Sequence, residues 1–485
     1  MAELLSLSGL LAPQPIRQKA ERVKRVAEAP TFETLKPQQA QAIEDLKAFV
    51  ESEDSGYHLL EGYAGTGKSF TVNMFTEYLL TTCGMKVAVT ATTNKAVKVM
   101  RDFGEFTHPN LEYMTIHSLL ALREQIDNYG KQSFVQINAE LCRINEFDVV
   151  FIDEVSQLSD DLFKLIDPYL EASNLKIIFI GDELQVPPIN KEDCIPLDKD
   201  MQAEYAIGVS SLTEVQRQAQ DNPIIALSMK VRKAIGRPTV LPTKESIYNE
   251  QTHDGVYFIN DTKSVDAILQ AYFKCPNFVA DVNYMRVLAW RNATVEAYNK
   301  KVRRLLYGAK PAKLNVGERL VVRKPVTHKA SDGVETILFT TNDELEVVSF
   351  KVDSANYEGA ELKFYATEVL HKTVREDVYK VIRIIHEDSE ADNALIAQHL
   401  KDKAVAEKPG TAMAGQYWRE YFKFLSFFAD VKYNYACTVH TSQGSTYQNC
   451  MVIDSDIDTN RKVRERNRIK YTAYTRPTSR LFIIN

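Results

Sequence analysis

A chain of 485 residues, 45 % hydrophobic and 26 % charged, has room for about three domain cores and the charge content of an ordinary folded protein. Its formal net charge of −6 argues against a protein that coats duplex without specificity, and no run nears the ~18 unbroken apolar residues of a membrane span. The six cysteines are scattered with no C-x-x-C pair, which favours a reducing cytosol and argues against a zinc site.

The opening MAELLSLSGLLAP has no basic residue ahead of its leucines, so it reads as a tail or docking segment and not as a secretory signal. Residues 1–30, basic and amphipathic near 17–29, form a peripheral extension. From Leu35 onward apolar strands alternate with helical stretches. The candidate strands are 57–62, 85–92, 148–154, 175–182, 285–290, 449–455 and 480–485. Their unbroken Val, Ile, Leu and Phe content suits parallel strands covered on both faces. They fall into two groups, which predicts an α/β protein of two doubly wound parallel-sheet domains. The first spans 31–108 and 148–250, and the second 251–316 and 430–485. An insertion at 109–147 contains a β-hairpin turning at Asn128 to Gly130. A second insertion, 317–429, combines alternating Val-rich strands with an aromatic helical stretch at 416–428.

Residues 62–69, GYAGTGKS, fit G-x-x-x-x-G-K-[S/T] between a strand and a helix. Gly62, Gly65 and Gly67 let backbone N–H groups curl toward phosphate oxygens. Lys68 supplies charge to the β and γ phosphates, and the Ser69 hydroxyl reaches Mg²⁺. Asp153 ends an apolar strand at the sheet edge where α/β ligands bind, placed to hold Mg²⁺ through water. Glu154 is placed to polarise the attacking water, and Gln185 to sense the γ-phosphate. Arginines opposing that phosphate contribute ~10³–10⁵ in rate. Arg217 and Arg476 are the candidates, one from each half of the chain. The cofactors are therefore ATP and Mg²⁺.

In order, these motifs resemble superfamily 1 DNA helicases of the 5′-to-3′ branch, the RecD-like and Dda-type enzymes. The resemblance runs from about Leu35 to the end. Leu35 with Gln39 is similar to the adenine-reading Q motif, and GYAGTGKS to motif I. ATTNKAVKVM (91–100) and TIHSLL (115–120) resemble motifs Ia and Ib. DEVSQL (153–158), GDELQVPPI (181–189) and LTEVQRQ (212–218) are similar to motif II, motif III and the segment carrying the family's arginine. AWRNATVEAYNKKV (289–302), TVHTSQGSTYQ (438–448) and AYTRPTSR (473–480) resemble motifs IV, V and VI. The chain departs from the pattern at Thr441, Gln448 and Pro477.

The resemblance implies RecA-like domains, an SH3-like β module in the second insertion, and a nucleotide site that also includes Ala64, Thr66, Phe70, Gln443 and Gly444. It implies strand contacts from Thr92, Thr93, Asn94, Lys95, His117, Asn292, Thr438 and His440. Trp418 would sit in the arch that holds one strand. Phe134, with Tyr129 as rival, would be the aromatic wedge of a pin that splits duplex. The expected activity is ATP-driven movement on single-stranded DNA, 5′ to 3′, with forked duplex as the working substrate. A single-strand-binding protein or replisome component is the expected partner of a monomer, in the cytoplasm (the host's, if viral). The rival readings are the motor subunit of a nuclease complex, an RNA helicase, and a strand binder with a vestigial ATP site.

Overall fold

The computed structural model describes residues 15–16, 25–104, 106–136, 138–172, 174–187, 194–214, 222–235, 245–329, 335–357, 359–372 and 377–485. By chain contacts it divides into two units. One comprises 1–120, 143–306 and 435–485, the other 121–142 and 307–434.

The first unit holds two six-stranded sheets. In the first, the spatial order is Gly208–Leu212, Gly56–Gly62, Lys176–Gly181, Val149–Asp153, Val87–Ala91 and Leu111–Thr115, all parallel. The inner strands are buried along nearly their whole length, the reason they read as unbroken apolar runs. The second sheet runs Ile247–Tyr248, Gly255–Ile259, Pro477–Ile484, Tyr447–Ile453, Met285–Ala289 and Ala436–Thr438, parallel apart from its first pair. Two doubly wound parallel sheets are thus present.

The first insertion is smaller than expected. Leu111–Thr115 joins the first sheet beside Val87–Ala91, and the short helix Ile116–Leu119 follows it. The strand LEYMT is half-exposed at a sheet edge, so it lacks the apolar run that marks its neighbours. The hairpin itself is Leu122–Ile126 paired with Gln132–Gln136.

That hairpin belongs to the second unit, with a five-stranded antiparallel sheet ordered Asp377–Ile385, Ala360–Lys372, Glu344–Tyr357, Arg319–Val322, Val431–Tyr433. Helices Glu390–Ala406 and Ala412–Leu425 pack on it through Leu362, Phe364, Leu400, Phe424 and Phe428. The aromatic stretch is therefore largely core. The hairpin turn docks on the second of these helices. Asn128 exchanges hydrogen bonds with the backbone of Gly410, each 3.3 Å. A Cβ on Gly130, where φ is +78°, would stand 2.4 Å from the Trp418 ring. The glycine is needed both for the left-handed turn and for this close approach.

The N-terminal extension is not wholly peripheral. Arg25 pairs with the buried carboxylate of Glu77, which also accepts the Glu28 N–H at 2.8 Å. Arg25–Val26 forms a short parallel ladder with Phe106–Thr107. The Pro15 carbonyl accepts from Gln448 Nε2 at 3.0 Å. Among the described residues no helix is long and apolar enough to cross a membrane.

Candidate nucleotide site and strand-contact edges

Three adjacent strands of the first sheet end together. Gly56–Gly62 leads into the glycine loop, Val149–Asp153 ends on its carboxylate, and Lys176–Gly181 delivers Asp182. Gly65 and Gly67 have φ of +83° and +88°, the left-handed backbone that turns successive N–H groups inward. Helix Lys68–Thr81 starts directly after Gly67, so its positive end faces the loop. Thr66 is buried and bonds back to the Tyr63 carbonyl at 2.8 Å. Ser69 and Phe70 lie exposed on the helix's first turn.

Lys68 folds back on the loop, donating to the carbonyls of Gly62 and, at 3.3 Å, Tyr63. Burial pushes its ammonium below the usual lysine range, against the pull of the Asp182, Glu154 and Asp153 carboxylates. The Asp153 carboxyl is pushed up, by burial first and by neighbouring Glu154 second. Glu154 holds a left-handed backbone (φ +52°, ψ +45°), unusual for a residue with a side chain and a common sign of a constrained functional position. The Gln185 side chain is buried, and its Oε1 finds no partner among the described residues. A buried acceptor of this kind is costly unless something fills its place.

This donor set fits Mg²⁺-nucleotide. Among the described residues no three His, Cys, Asp or Glu side chains cluster to cage a metal. Mg²⁺ needs no such cage, because one or two protein oxygens suffice where water and phosphates complete its octahedron. Ser69 and Asp153 are the residues that would hold it.

The second sheet reaches this edge through one helix, Val463–Tyr474, and one turn, 441–445. Arg468 donates to the Gln185 and Glu183 carbonyls at 2.9 and 2.8 Å. Thr472 Oγ1 accepts the Val186 N–H at 3.2 Å, and Gln443 Nε2 donates to the Val186 carbonyl at 2.7 Å. Tyr471 donates to Asp182 Oδ2 at 2.5 Å, and its oxygen lies 3.5 Å from the Ala64 N–H. Gly444 (φ +68°) turns beside helix Asn94–Phe103, and a Cβ there would meet that of Ala96 at 3.1 Å.

Several expected residues behave differently. Arg476 is buried, and its guanidinium donates within its own lobe: to the Thr472 carbonyl at 3.0 Å, the Ser445 carbonyl at 3.3 Å and Thr475 Oγ1 at 3.0 Å. Here it is not the group that meets the glycine loop. Arg217 and Pro188 lie outside the described residues. The strand Gly208–Leu212 runs in register with 58–62. Gln39 Oε1 caps the Lys36 N–H at 3.1 Å, which leaves its amide nitrogen as the end able to meet a base. Trp418 is half-buried against the Gly130 turn, so its ring seats the hairpin.

The strand-contact candidates gather at the carboxyl ends of both sheets. Thr92 to Lys95 follow Val87–Ala91, and His117 follows the neighbouring Leu111–Thr115. Thr93 caps its helix by accepting the Ala96 N–H at 3.2 Å. The Thr92 hydroxyl is buried without a partner among the described residues, and Asn94 is exposed. Lys95 Nζ lies 5.2 Å above the Tyr447 ring. Thr438 hydrogen-bonds Thr441 at 2.9 Å, the departure at Thr441 thus stabilising its own turn. Asn292 is exposed on the first turn of helix Asn292–Tyr307, whose entry is held by Asp456 accepting from the Trp290 and Arg291 N–H groups at 2.8 Å each. Burial pushes the imidazoles of His117 and His440 down. Pro477 opens the strand Pro477–Ile484, where a missing N–H is tolerated.

Asp182, Arg232, Tyr63 and Tyr471 were not anticipated as a group. One signal was available: an acid directly after a fully apolar strand, at the same edge as Asp153.

A family model described as an AAA domain matches residues 34–253. The ATP-dependent DNA helicase Dda of Enterobacteria phage T4 is 24 % identical over 438 residues, 87 % of this chain and 93 % of that one. An uncharacterised protein, R530, of Acanthamoeba polyphaga mimivirus is 23 % identical over 492 residues, 90 % and 97 % of the two chains. The crystal structure of Pif1 helicase from Candida albicans superposes with a TM-score of 0.49 at 16 % identity, covering 93 % of this chain and 94 % of that one. With its ordered motifs on two parallel sheets, the match over residues 34–253 and the likeness to Dda along most of its length, the chain is similar to superfamily 1 helicases of the branch that holds the Dda and RecD-like enzymes.

Proposed function

We infer that the chain is an ATP-dependent DNA helicase that moves 5′ to 3′ on single-stranded DNA and parts a forked duplex at the hairpin 122–136. One observation carries the motor reading. The glycine loop, Asp153, Glu154 and Gln185 stand on one sheet, and the helix Val463–Tyr474 of the other sheet bonds directly to the segment 182–186 between them.

Ser69 and Asp153 would hold Mg²⁺, which would supply positive charge against the phosphates. The chain's own groups do the rest. Lys68 exchanges two loop carbonyls for phosphate oxygens. Glu154, held rigidly by its left-handed backbone, orients the attacking water and takes up its proton. Gln185 offers its unpartnered oxygen to the same water. Arg217 and Arg476 are the proposed cations for the γ-phosphate. Arg476 would first have to leave the carbonyls of Thr472 and Ser445, so its arrival is a conformational step.

Strand grip falls to the two carboxyl edges, Thr92 to Lys95 and His117 on one, Asn292, Thr438 and His440 on the other. Opening and closing of the lobes would exchange the grip between them. For the pin, Phe134 is favoured over Tyr129. Phe134 is 52 % exposed on a hairpin strand; Tyr129 is 68 % exposed, but its hydroxyl lies against the Gly410 turn. The viral relatives favour a viral origin, with the host cytoplasm as workplace.

The test is unwinding of matched duplexes carrying a 5′ or a 3′ overhang, with and without ATP. Strand separation of the 5′-tailed substrate alone, only with ATP, is the expected result. Preference for the 3′ tail refutes the direction, and equal stimulation of hydrolysis by RNA would favour an RNA helicase.

A further inference from the structure

Arg232 stands one residue before the end of helix Pro223–Lys233, outside every motif named above. Its side chain is 11 % exposed and paired with the fully buried carboxylate of Asp182 through Oδ1. Its other terminal nitrogen lies 3.3 Å from Glu183 Oε1. The guanidinium carbon sits 4.2 Å from the centroid of the Tyr63 ring and 5.4 Å from that of Tyr471. The second oxygen of Asp182 accepts the Tyr471 hydroxyl at 2.5 Å. One buried carboxylate at the edge of the first sheet is therefore shared between an arginine and a tyrosine whose helices both pack in the core of the second sheet.

Both partners also touch the glycine loop. Arg232 covers the ring of Tyr63, and the Tyr471 oxygen lies 3.5 Å from the Ala64 N–H. Tyr63 is a branch point, because its carbonyl accepts from Lys68 at 3.3 Å and from Thr66 Oγ1 at 2.8 Å. A change in what Lys68 holds is a change in what holds Tyr63. From there the path is a stacked guanidinium, a buried charge and a hydroxyl on the second lobe's helix. A buried network of this kind is favourable only when complete, since losing either donor leaves a charge oxygen unmatched. It therefore has two states and no comfortable middle.

We propose that Arg232, Asp182 and Tyr471 are positioning residues that transmit the arrangement of the glycine loop to the second lobe, coupling nucleotide turnover to strand engagement. The proposal rests on the helicase reading above. Arg232 acts through Asp182 and Tyr63, and its charge, felt at Lys68, adds to the positive surroundings of the phosphate site.

The experiment measures steady-state ATP hydrolysis by the full chain with and without a single-stranded DNA oligomer, for wild type, Tyr471→Phe, Arg232→Lys and the double variant. Tyr471→Phe removes one oxygen and keeps the ring, so it leaves packing intact. Arg232→Lys keeps the charge but loses the flat, two-pronged face. In each single variant the ratio of stimulated to unstimulated turnover should fall at least tenfold, through kcat, with KM for ATP within threefold of wild type. The double variant should lose no more than the worse single one. A stimulation ratio at the wild-type value in both single variants overturns the proposal, as does an equal fall in hydrolysis with and without DNA. A wild-type chain whose hydrolysis ignores the oligomer sinks the helicase reading instead.

Discussion

The two cations expected to flank one triphosphate, Lys68 and Arg476, are held in opposite ways. Lys68 faces the carboxylates of Asp182, Glu154 and Asp153 and rests on two loop carbonyls. Around it stand a left-handed glutamate, a carboxyl pushed up by burial and a glutamine oxygen without a partner among the described residues. Arg476 instead donates to three acceptors within its own lobe. The first-lobe edge is built and strained in advance, while the Arg476 guanidinium on the second lobe is satisfied as it stands. In a motor this asymmetry has a use. On the proposed reading, the site would bind nucleotide without help, and turnover would wait for the second lobe to rearrange.

The sharpest way to break the comparison is at its charged end. Lys68→Ala should lower ATP turnover by about 10³-fold, as loss of a preorganised phosphate contact does, while a fluorescence-anisotropy titration still shows strand binding. Retained hydrolysis would mean that the buried ammonium is structural. Next comes Glu154→Gln, which keeps shape and hydrogen bonding but cannot accept a proton. Turnover should fall about 10²- to 10³-fold with KM for ATP little changed. Glu154→Gly separates chemistry from strain. It should be equally inactive, yet relief of the positive φ should offset much of the entropy glycine brings, leaving chemical denaturation within about 1 kcal/mol of wild type. A much larger loss of stability would show that the Glu154 side chain anchors the turn and that its backbone carries little strain.

The parts of this site legible in the sequence were those set by backbone. The glycine loop, the strand ending at Asp153 and the chain order of the motifs each follow from local periodicity and turn chemistry. The inner strands could be read because burial on both faces demands unbroken apolar residues. Leu111–Thr115 and Gly208–Leu212 sit at sheet edges, one half-exposed and one rich in serine, so their pattern carried no such demand. Side-chain placement was the least legible. Nothing local to Arg476 says that its partners will be the Thr472 and Ser445 carbonyls. Nothing local to Arg232 says that a carboxylate fifty residues earlier awaits it. Trp418 shows the same limit. The resemblance implied an arch that holds one strand, and nothing local to Trp418 says that the Gly130 turn, some 290 residues earlier, packs against its ring.

A milder test probes the contact between lobes at the turn 441–445. Gly444→Ala places a Cβ where φ is +68° and Ala96 stands 3.1 Å away. Strain and crowding together should cost about 1–2 kcal/mol, and strand-stimulated hydrolysis should fall roughly tenfold while basal hydrolysis falls less. Loss of both in equal measure would make the turn a general structural element and would weaken the distinction between the two edges.

The smallest effect on hydrolysis is expected in the second unit. Gly130→Ala forces a Cβ to within 2.4 Å of the Trp418 ring in a turn that needs φ of +78°. The hairpin can keep its ladder from Leu122–Ile126 to Gln132–Gln136, but its turn must lift off the helix Ala412–Leu425. Unwinding of a forked duplex should slow two- to fivefold, while ATP hydrolysis stimulated by a single strand stays within a factor of two. Trp418→Ala should reproduce this by removing the seat instead of displacing the turn. The pair distinguishes two roles for the indole. If it only supports the hairpin, the two variants match. If it also stacks on a base, Trp418→Ala should weaken strand binding as well, by the ~1–3 kcal/mol of one lost base–aromatic contact, and Gly130→Ala should not.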